Sequence, residues 1–464
     1  MHNPASPTLL RLTVGTAFAL LLACGGGGGG GSTPVAPSSP AGAWQGSHLT
    51  EIGVFNDAWY PAVAMDGTGR ALATWYQISG STSAIWANAF APASGGWQGE
   101  GTLEPALTPA INPKVAINDS GAGMIVWEQS DGTQDRVYGM HYQTGVAGSY
   151  GPQVLISTTL ADAGIPAVAV NAGGSAVVAW IQSDGVNYHA WANLYTPGSG
   201  WATPTQLETS ATDSSTTPMA AIDDAGNAVV VWQRALDLNA LPYTVWASRW
   251  QGGAWSTSPT VLHAGSGDTG NPAISMGSGG AIAAWTESLD GGSSYQIHTS
   301  RWTPGTDAWS TPVRVSPTSE SADMPSIAVD GSGNALMVWQ QTFGGAATAT
   351  ALNVASSQFS AATGWSSVRR LDTLSGSVGP AAVAMNASGC ANVVWNQLDG
   401  VSLSIFGTRY APSGGWGTAT ALETDQSGYA YSPAIAVGAN GDAMAVWYQK
   451  DGAGLRHIYT NRFH

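Results

Sequence analysis

The chain has 464 residues, of which 44% are hydrophobic and only 9% are charged, whereas about 25% are charged in an average globular domain. Its 61 glycines and 21 tryptophans are typical of short buried strands joined by tight turns, and surface helices are not expected. The formal net charge of −15 argues against nucleic acid or an anionic membrane surface as a partner.

The N-terminus resembles a bacterial lipoprotein signal peptide. A basic residue precedes an apolar run, residues 12–23, which is too short to span a bilayer permanently. The run ends in LLAC at residues 21–24, which resembles a lipobox. We therefore predict that residues 1–24 are removed up to Cys24, which carries the lipid anchor. Gly25 at the next position favours the outer membrane by the same resemblance, and a protein whose lipobox is not used would instead be secreted.

Residues 25–43 are predicted to be a linker, because they consist of a glycine run followed by a segment rich in proline and serine. The mature chain keeps 13 basic and 29 acidic residues, a net charge of −16. With Cys24 lipidated, Cys390 is the other cysteine of the sequence, so an intramolecular disulfide is not possible. Stability must then come from packing.

One segment recurs eight times after residue 44. Its first copy is PAVAMDGTGRALATWYQ at residues 61–77, and its tryptophan returns at spacings of 52, 53, 52, 53, 54, 56 and 52 residues. Repeats of about 40–50 residues or more that contain several short strands are typical of β-propeller blades. The repeated tryptophans are Trp75, Trp127, Trp180, Trp232, Trp285, Trp339, Trp395 and Trp447.

Each repeat predicts four strands. The first has small alternating residues, such as PAVAV at 166–170, which suit the crowded axis of a propeller. A turn with Asp or Asn, and Gly three residues later, leads to the second strand. The second strand is apolar on both faces, such as AVVVW at 228–232, as stacking between neighbouring blades requires. The third strand carries aromatic residues, and a second tight turn leads into the fourth.

The two ends of the repeat region predict ring closure. The eighth repeat stops after its third strand, and the missing tryptophan and strand stand at residues 44–51 instead. An N-terminal strand that completes the last blade would remove the free sheet edges. We therefore predict an all-β fold, a single closed propeller over residues 44–464 with eight four-stranded blades of about 53 residues.

The repeat pattern Gly-x-Ala-x-x-x-Trp-x-Gln resembles that of a large group of bacterial surface and lipoprotein propellers. This resemblance covers residues 44–464 and implies a fold and an envelope location, but no activity. The Asp box of sialidases does not match, because Asp66 and Gly69 are three residues apart and Trp75 follows six residues later. The quinone-dehydrogenase-type repeat has Gly and Trp four residues apart and does not match this sequence either. Its family nevertheless includes an outer-membrane lipoprotein with a similar layout of anchor, linker and eight blades.

Catalytic and cofactor motifs are not evident. The eight histidines lack metal-ligand spacing, and neither a nucleophile elbow nor a calcium loop occurs. We therefore expect no metal, no cofactor and no catalytic constellation, although carboxylates on different blades can still converge in space.

The repeated aromatic and amide residues have a structural interpretation. The eight strand-two tryptophans are expected in the core, where each buries about 200 Å², or about 5 kcal/mol before entropy. The glutamine two residues after most of them is expected to satisfy backbone groups between blades. The alternative is a ring of amides around one mouth of the channel.

One face of the predicted propeller varies between repeats. The loops between strands two and three, and those leading into the next blade, differ in every repeat and lie on the same face. Function on rigid scaffolds concentrates in such loops, although loops without a function also drift. The candidate binding residues on this face are Asp57, Trp59, Tyr60, Asp131, Arg136, Tyr188, Tyr243, Tyr429, Tyr431 and Arg456.

Two functions fit these patterns. The first is a monomeric, non-catalytic binding or scaffold module that presents the variable face to an envelope protein or a glycan. The second is a glycan-active hydrolase or lyase whose carboxylates converge at the channel mouth. Membrane contact is expected through the lipid anchor alone, and both periplasmic and surface-exposed orientations remain open.

Overall fold

The computed structural model describes residues 42–464 except 51–56, 105–107, 146–149, 160, 209, 211, 237–241, 264–266, 289–293, 345–350 and 425–427. The predicted signal peptide, Cys24 and nearly all of the linker lie outside the described residues. Within this part of the chain, no helix is long and apolar enough to cross a membrane.

The described strands form eight antiparallel sheets, which follow one another along the chain as blades 1 to 8. The inner strands are Asp57–Met65, Ala110–Ile117, Ala163–Val170, Ser214–Ile222, Thr269–Gly277, Ala322–Val329, Ala382–Met385 and Ala430–Val437. The second strands are Ala71–Ser79, Ala122–Ser130, Ala176–Ser183, Ala228–Ala235, Gly280–Ser288, Ala335–Thr342, Ala391–Leu398 and Ala443–Lys450. The third strands are Thr82–Ala91, Asp135–Gln143, Tyr188–Thr196, Thr244–Gln251, Tyr295–Thr303, Leu352–Ser360, Leu403–Ala411 and Arg456–Phe463.

The outer strand of most blades is interrupted. It is Gly96–Thr102 in blade 1, after the short 3-10 helix Pro92–Ser94, and Val154–Leu155 in blade 2. In blades 3 to 7 two short segments pair with the same third strand. In blades 4 to 6 a serine side chain bridges the break; Ser310 Oγ, for example, accepts the Arg301 N–H at 3.0 Å. These segments are Gly200–Trp201 and Thr205–Gln206, Ala254–Trp255 and Thr260–Val261, Ala308–Trp309 and Val313–Arg314, Gly364–Trp365 and Arg369–Arg370, and Gly415–Trp416 and Thr420–Ala421.

The core lies between the blades. All eight repeated tryptophans are fully buried, which confirms their predicted packing role. Each packs in a cluster drawn from two neighbouring blades, as Trp75 does with Val446 and Ile458 of blade 8. The small residue four positions before each tryptophan makes this stacking possible. Ala281 of blade 5, for example, lies in one buried cluster with Val229 and Val231 of blade 4.

The repeated glutamines are buried, and the expectation that they satisfy backbone groups between blades is confirmed in part. Their main partner is the tryptophan of the same strand: Trp127 Nε1 donates to Gln129 Oε1 at 3.0 Å, and the same bond occurs in blades 3, 6, 7 and 8. The amide nitrogen then reaches the segment that enters the same blade, as in the 2.8 Å bond from Gln397 to the carbonyl of Gly376. An indole N–H in a dry core needs an acceptor, and the glutamine supplies it.

The turns between the first two strands connect neighbouring blades. Asn118 Oδ1 accepts the N–H groups of Ser120 and Ala122 at 3.1 and 3.0 Å, which closes the turn as predicted from the Asx residue. Its Nδ2 donates to the carbonyl of Asn171 in the next blade at 2.9 Å, and Asn171 repeats this bond to Asp223 at 3.0 Å. The regularity of this face therefore follows from inter-blade hydrogen bonding.

The ring closes through the N-terminal strand. His48–Leu49 pairs with Arg456–Phe463 as the outer strand of blade 8, and Trp44 forms a bridge with Phe463. Each inner strand contacts that of the next blade, and the last contacts the first. The predicted closed propeller of eight blades is confirmed.

Deletion of residues 44–51 should lower the melting temperature. The deletion exposes the edge of Arg456–Phe463 and removes the contact between the Trp44 and Phe463 rings, whose centroids are 5.7 Å apart. We expect a decrease of about 5 °C or more in thermal denaturation. Deletion of the glycine run at 25–31 serves as the control and should leave the melting temperature unchanged. An equal melting temperature in both deletions would contradict closure by this strand.

Candidate functional site at the channel mouth

The inner strands share a bulge near the variable face. The register shifts by one residue in seven blades, for example between Trp59 and Ala62, just before a repeated proline. The residue before this proline has a positive φ although it is not glycine. Such a backbone costs about 1–3 kcal/mol, and bulges of this kind redirect side chains. The positions are Tyr60, Asn112, Ile165, Thr217, Asn271, Met324 and Ser432, with Gly379 in blade 7.

Because the inner strands surround the axis, these bulges form a tier at one mouth of the central channel. Asparagines, a threonine and a serine occupy it alongside Ile165 and Met324. Most are held within the tier: Asn112 Nδ2 donates to Glu128 at 3.2 Å, and Thr217 donates to Gln233 at 2.6 Å. Asn271 likewise donates to Asp323 of the next blade at 2.7 Å. The tier is therefore a rigid, largely polar rim.

The rim departs from this pattern where blade 8 meets blade 1. Three positions can be compared in every blade, namely the residue before the bulge, the bulge residue and the residue after the strand-two tryptophan. Blade 1 has Trp59, Tyr60 and Tyr76 there, and blade 8 has Tyr431, Ser432 and Tyr448. The same positions of blades 2 to 7 hold no aromatic residue. The aromatic residues thus break an eightfold repeat at one boundary.

These side chains form one cluster, here called the seam patch. Tyr448, which is 8% exposed, is its centre: its ring centroid lies 5.5 Å from Tyr431, 5.4 Å from Trp59 and 6.1 Å from Tyr60. Tyr76 and Tyr429 extend it, and Tyr429 is 48% exposed. Burial raises the pKa of Tyr448 to about 12, so its hydroxyl stays protonated at neutral pH. The patch comprises Asp57, Trp59, Tyr60, Tyr76, Tyr429, Tyr431, Tyr448 and Arg456.

A single ion pair belongs to the seam patch. Arg456 lies over Trp59, with its guanidinium carbon 3.6 Å from the ring centroid, and its Nη1 is 3.1 Å from Asp57 Oδ2. Asp57 Oδ1 also accepts the backbone N–H of Arg456 at 3.0 Å, across the boundary between blades. The pair contributes no net charge, and the guanidinium immobilises the indole through a cation–π contact.

The structure places the ten predicted residues in two groups. Six of them, Asp57, Trp59, Tyr60, Tyr429, Tyr431 and Arg456, lie together in the seam patch, while Asp131, Arg136, Tyr188 and Tyr243 lie on blades 2 to 4. Arg136 is 5% exposed and donates to Asp131 at 2.9 Å and to the carbonyl of Ala161 at 2.6 Å. Tyr76 and Tyr448 were not predicted, although their departure from the repeat is visible in the sequence.

A second polar group lies at the boundary between blades 2 and 3. Glu128 Oε2 accepts bonds from Asn112 Nδ2 and from the backbone N–H of Ile165, both at 3.2 Å. Gly164 leaves room for this carboxylate, because a Cβ there would lie 2.5 Å from Oε2. Loss of hydration lowers the pKa of Lys114, two residues after Asn112 on the same strand, to about 8.

Other buried carboxylates have a structural use. Glu104, Glu208, Asp372 and Glu423 stand at the end of their outer strands and accept a third-strand N–H, as Glu104 does from Ile85 at 2.7 Å. Burial raises the pKa of Glu104 to about 7. In the described part of the chain, no three His, Cys, Asp or Glu side chains are placed to hold a metal ion.

The geometry defines a closed eight-bladed β-propeller with one asymmetric aromatic site at its channel mouth. No known protein family and no curated protein matches the chain. Among solved structures, the Dos1 propeller is similar with a TM-score of 0.50 and 8% identity, covering 91% of this chain and 95% of that one. A protein of unknown function from Dyadobacter fermentans has a TM-score of 0.45 and 10% identity; the match covers 92% of this chain and 99% of that protein. An ulvan lyase has a TM-score of 0.48 and 12% identity; the match covers 77% of this chain and 94% of the lyase. At these identities the likeness concerns the fold.

Two buried histidines should give opposite pH effects on stability. The carboxylates of Glu208 and Asp184 raise the pKa of His189, so its stabilisation is present below about pH 6.5 and is lost as the pH rises through the raised pKa. Burial lowers the pKa of His298, which therefore destabilises the fold at low pH. H189Q should reduce the melting temperature more at about pH 5.5 than at about pH 8.5, and H298Q should do so more at about pH 8.5. Melting curves that shift equally at both pH values would contradict this assignment.

Proposed function

We propose that the protein is a glycan-binding module of the cell envelope, with the seam patch as its binding site. The observation that carries the proposal is the asymmetry of the rim. Packing between blades demands the same residues eight times, so it does not account for six aromatic rings gathered at one boundary. A residue set that departs from a repeat at one place is expected where a ligand is bound.

The chemistry of the seam patch favours a sugar. Aromatic faces stack on the apolar faces of sugar rings, and the tyrosine hydroxyls add hydrogen-bonding groups at the ring edges. Arg456 is already paired with Asp57, so the patch provides little attraction for a strongly charged ligand. A neutral glycan therefore fits better than an anionic one. The mouth of a channel also favours a small ligand over the flat surface of a protein partner.

The aromatic residues provide the direct test. The purified chain is screened for binding against a panel of neutral and cell-wall glycans, with analysis of products for every hit. Y429A should weaken binding of the best neutral hit about tenfold, because Tyr429 is the most exposed ring of the patch and its removal disturbs little packing. Y431A should weaken it further.

Y188A and Y243A are the matched controls, because both tyrosines belong to the same face on other blades. Their affinities should stay within about twofold of the wild type. Equal losses in all four variants, or no loss in Y429A and Y431A, would exclude the seam patch as the site. A folded chain that binds no glycan on the panel would instead favour an envelope protein as the partner.

A glycan-active enzyme is the second candidate function. Lys114, two residues after Asn112 of the rim, supports it, because a lysine with a pKa of about 8 can exchange protons near neutral pH. Cleaved product in the screen, lost on replacement of Lys114 by methionine, would favour the enzyme. Binding without turnover would favour the module.

The envelope location rests on the sequence of residues 21–24 and is tested separately. Replacement of Cys24 by serine should move the expressed protein from the membrane fraction to the soluble fraction, since a lipidated cysteine is the anchor we propose. Replacement of Cys390, which is buried, by alanine is the control and should leave the fractionation unchanged. A C24S variant that remains in the outer-membrane fraction would contradict the anchor.

A further inference from the structure

A groove opens on the outer rim between blades 5 and 6. It has a volume of about 330 Å³, which is in the lower part of the range of roughly 300–1,000 Å³ for small-molecule sites. Arg301 and Arg314 of blade 5 line one side, and Phe359 and Trp365 of blade 6 line the other. Trp365 Nε1 donates to Thr299 Oγ1 at 3.0 Å, so the two walls are joined at the base.

The groove is cationic. Its lining contains two arginines and no acidic residue. Arg301 Nη2 donates to the carbonyl of Gly279 at 3.1 Å, and its guanidinium carbon lies 5.7 Å from the Phe359 ring centroid. Arg314 is exposed. Within the described residues, neither guanidinium has a carboxylate at ion-pair distance, whereas the mature chain carries a net charge of −16. Two unpaired arginines in so acidic a protein call for an anionic ligand.

The repeat supplies an internal comparison for Arg301. In blade 4, Arg249 is the residue equivalent to Arg301. Each arginine directly precedes the third-strand aromatic residue that pairs with the tryptophan of the outer strand. Arg249 forms an ion pair with Asp307, which belongs to the outer turn of the following blade. In blade 6 the position of Asp307 is taken by Thr363. The arginine is therefore kept at the groove, and its carboxylate partner is replaced.

The same substitution pattern occurs at Arg314. Arg370 occupies the equivalent position of blade 6, and its Nη2 lies 2.7 Å from Asp372 Oδ2. In blade 5 the residue two positions after the arginine is Ser316. Arg301 and Arg314 thus lack the acids that neutralise Arg249 and Arg370.

A similar groove between blades 3 and 4 shows that the charge is not a general property of the rim. It has a volume of about 370 Å³ and is lined by Trp250, Trp255 and several hydroxyl residues. Its one charged residue is Glu208, and it contains no arginine or lysine. The two grooves share size and aromatic walls and differ in charge.

We propose that the groove between blades 5 and 6 binds an acidic saccharide unit. The carboxylate or sulfate group would accept hydrogen bonds from Arg301 and Arg314, and the sugar ring would lie against Trp365. Ser310 and Ser366, both in the lining, supply hydroxyl groups for the ring oxygens. This site is separate from the seam patch and does not depend on the function proposed for it.

The test uses the purified chain and three probes: an oligogalacturonate for carboxylates, a sulfated galactan oligosaccharide for sulfates, and an uncharged galactan oligosaccharide of equal length. Calorimetry at about 50 and 300 mM salt should show binding of one or both acidic probes that weakens as salt rises. R314Q, which alters an exposed strand end, should weaken that binding at least tenfold, and R301Q should do the same. The acidic probe that binds identifies the anionic group.

R370Q is the matched control, because Arg370 has the same repeat position and its own carboxylate. It should bind the acidic probes as the wild type does, and Y429A should also bind them normally, which separates this groove from the seam patch. Wild-type affinity in R314Q and R301Q, equal binding of the uncharged probe, or failure of both acidic probes to bind would overturn the proposal.

Discussion

Apolar stacking between neighbouring blades is the constraint on which the rest of this structure depends. Each sheet is buried on both faces, so every second strand must be apolar on both sides and must carry a small residue where the next blade comes close. The eight fully buried tryptophans fill the resulting gaps. Glutamines accept the indole N–H groups of five of them, and Glu287 accepts that of Trp285. Closure by His48–Leu49 gives the last blade the same environment as the others.

Because packing requires a regular repeat, we base both proposed sites on departures from it. One departure adds aromatic rings at the rim between blades 8 and 1, around Tyr448. The other removes two carboxylates from the groove between blades 5 and 6 and leaves Arg301 and Arg314 without ion pairs in the described structure. We propose a neutral sugar as the ligand of the first site and an acidic one as the ligand of the second.

The fold was predictable because its determinants are periodic. The spacing of Trp75 and its seven counterparts gave the blade number, and the isolated strand at residues 44–51 gave the closure. The site was predictable only in part. Loop variability selected Trp59, Tyr60 and Tyr431, which the structure brings together in the seam patch, but it also selected Arg136, which the fold uses internally.

Other features depend on contacts that no local pattern reveals. The bulge that redirects Tyr60 arises from the meeting of the first two strands, and the proximity of Tyr429 to Trp59 depends on ring closure between residues far apart in the chain. The indole partner of the repeated glutamines was missed for a similar reason, since it lies two residues away on the same face of one strand. The groove arginines could have been found from the sequence by aligning the eight repeats and comparing charges position by position.

Hydrogen exchange in the presence of a bound glycan tests the central claim that function lies where the repeat is broken. The purified chain would be exchanged with and without the best neutral glycan at saturation, and protection would be mapped by peptide. We expect protection from exchange only in peptides that contain residues 57–60, 429–432 and 456, at the boundary of blades 8 and 1. Protection spread evenly over all eight blades, or centred on the rim of blades 3 and 4, would contradict it.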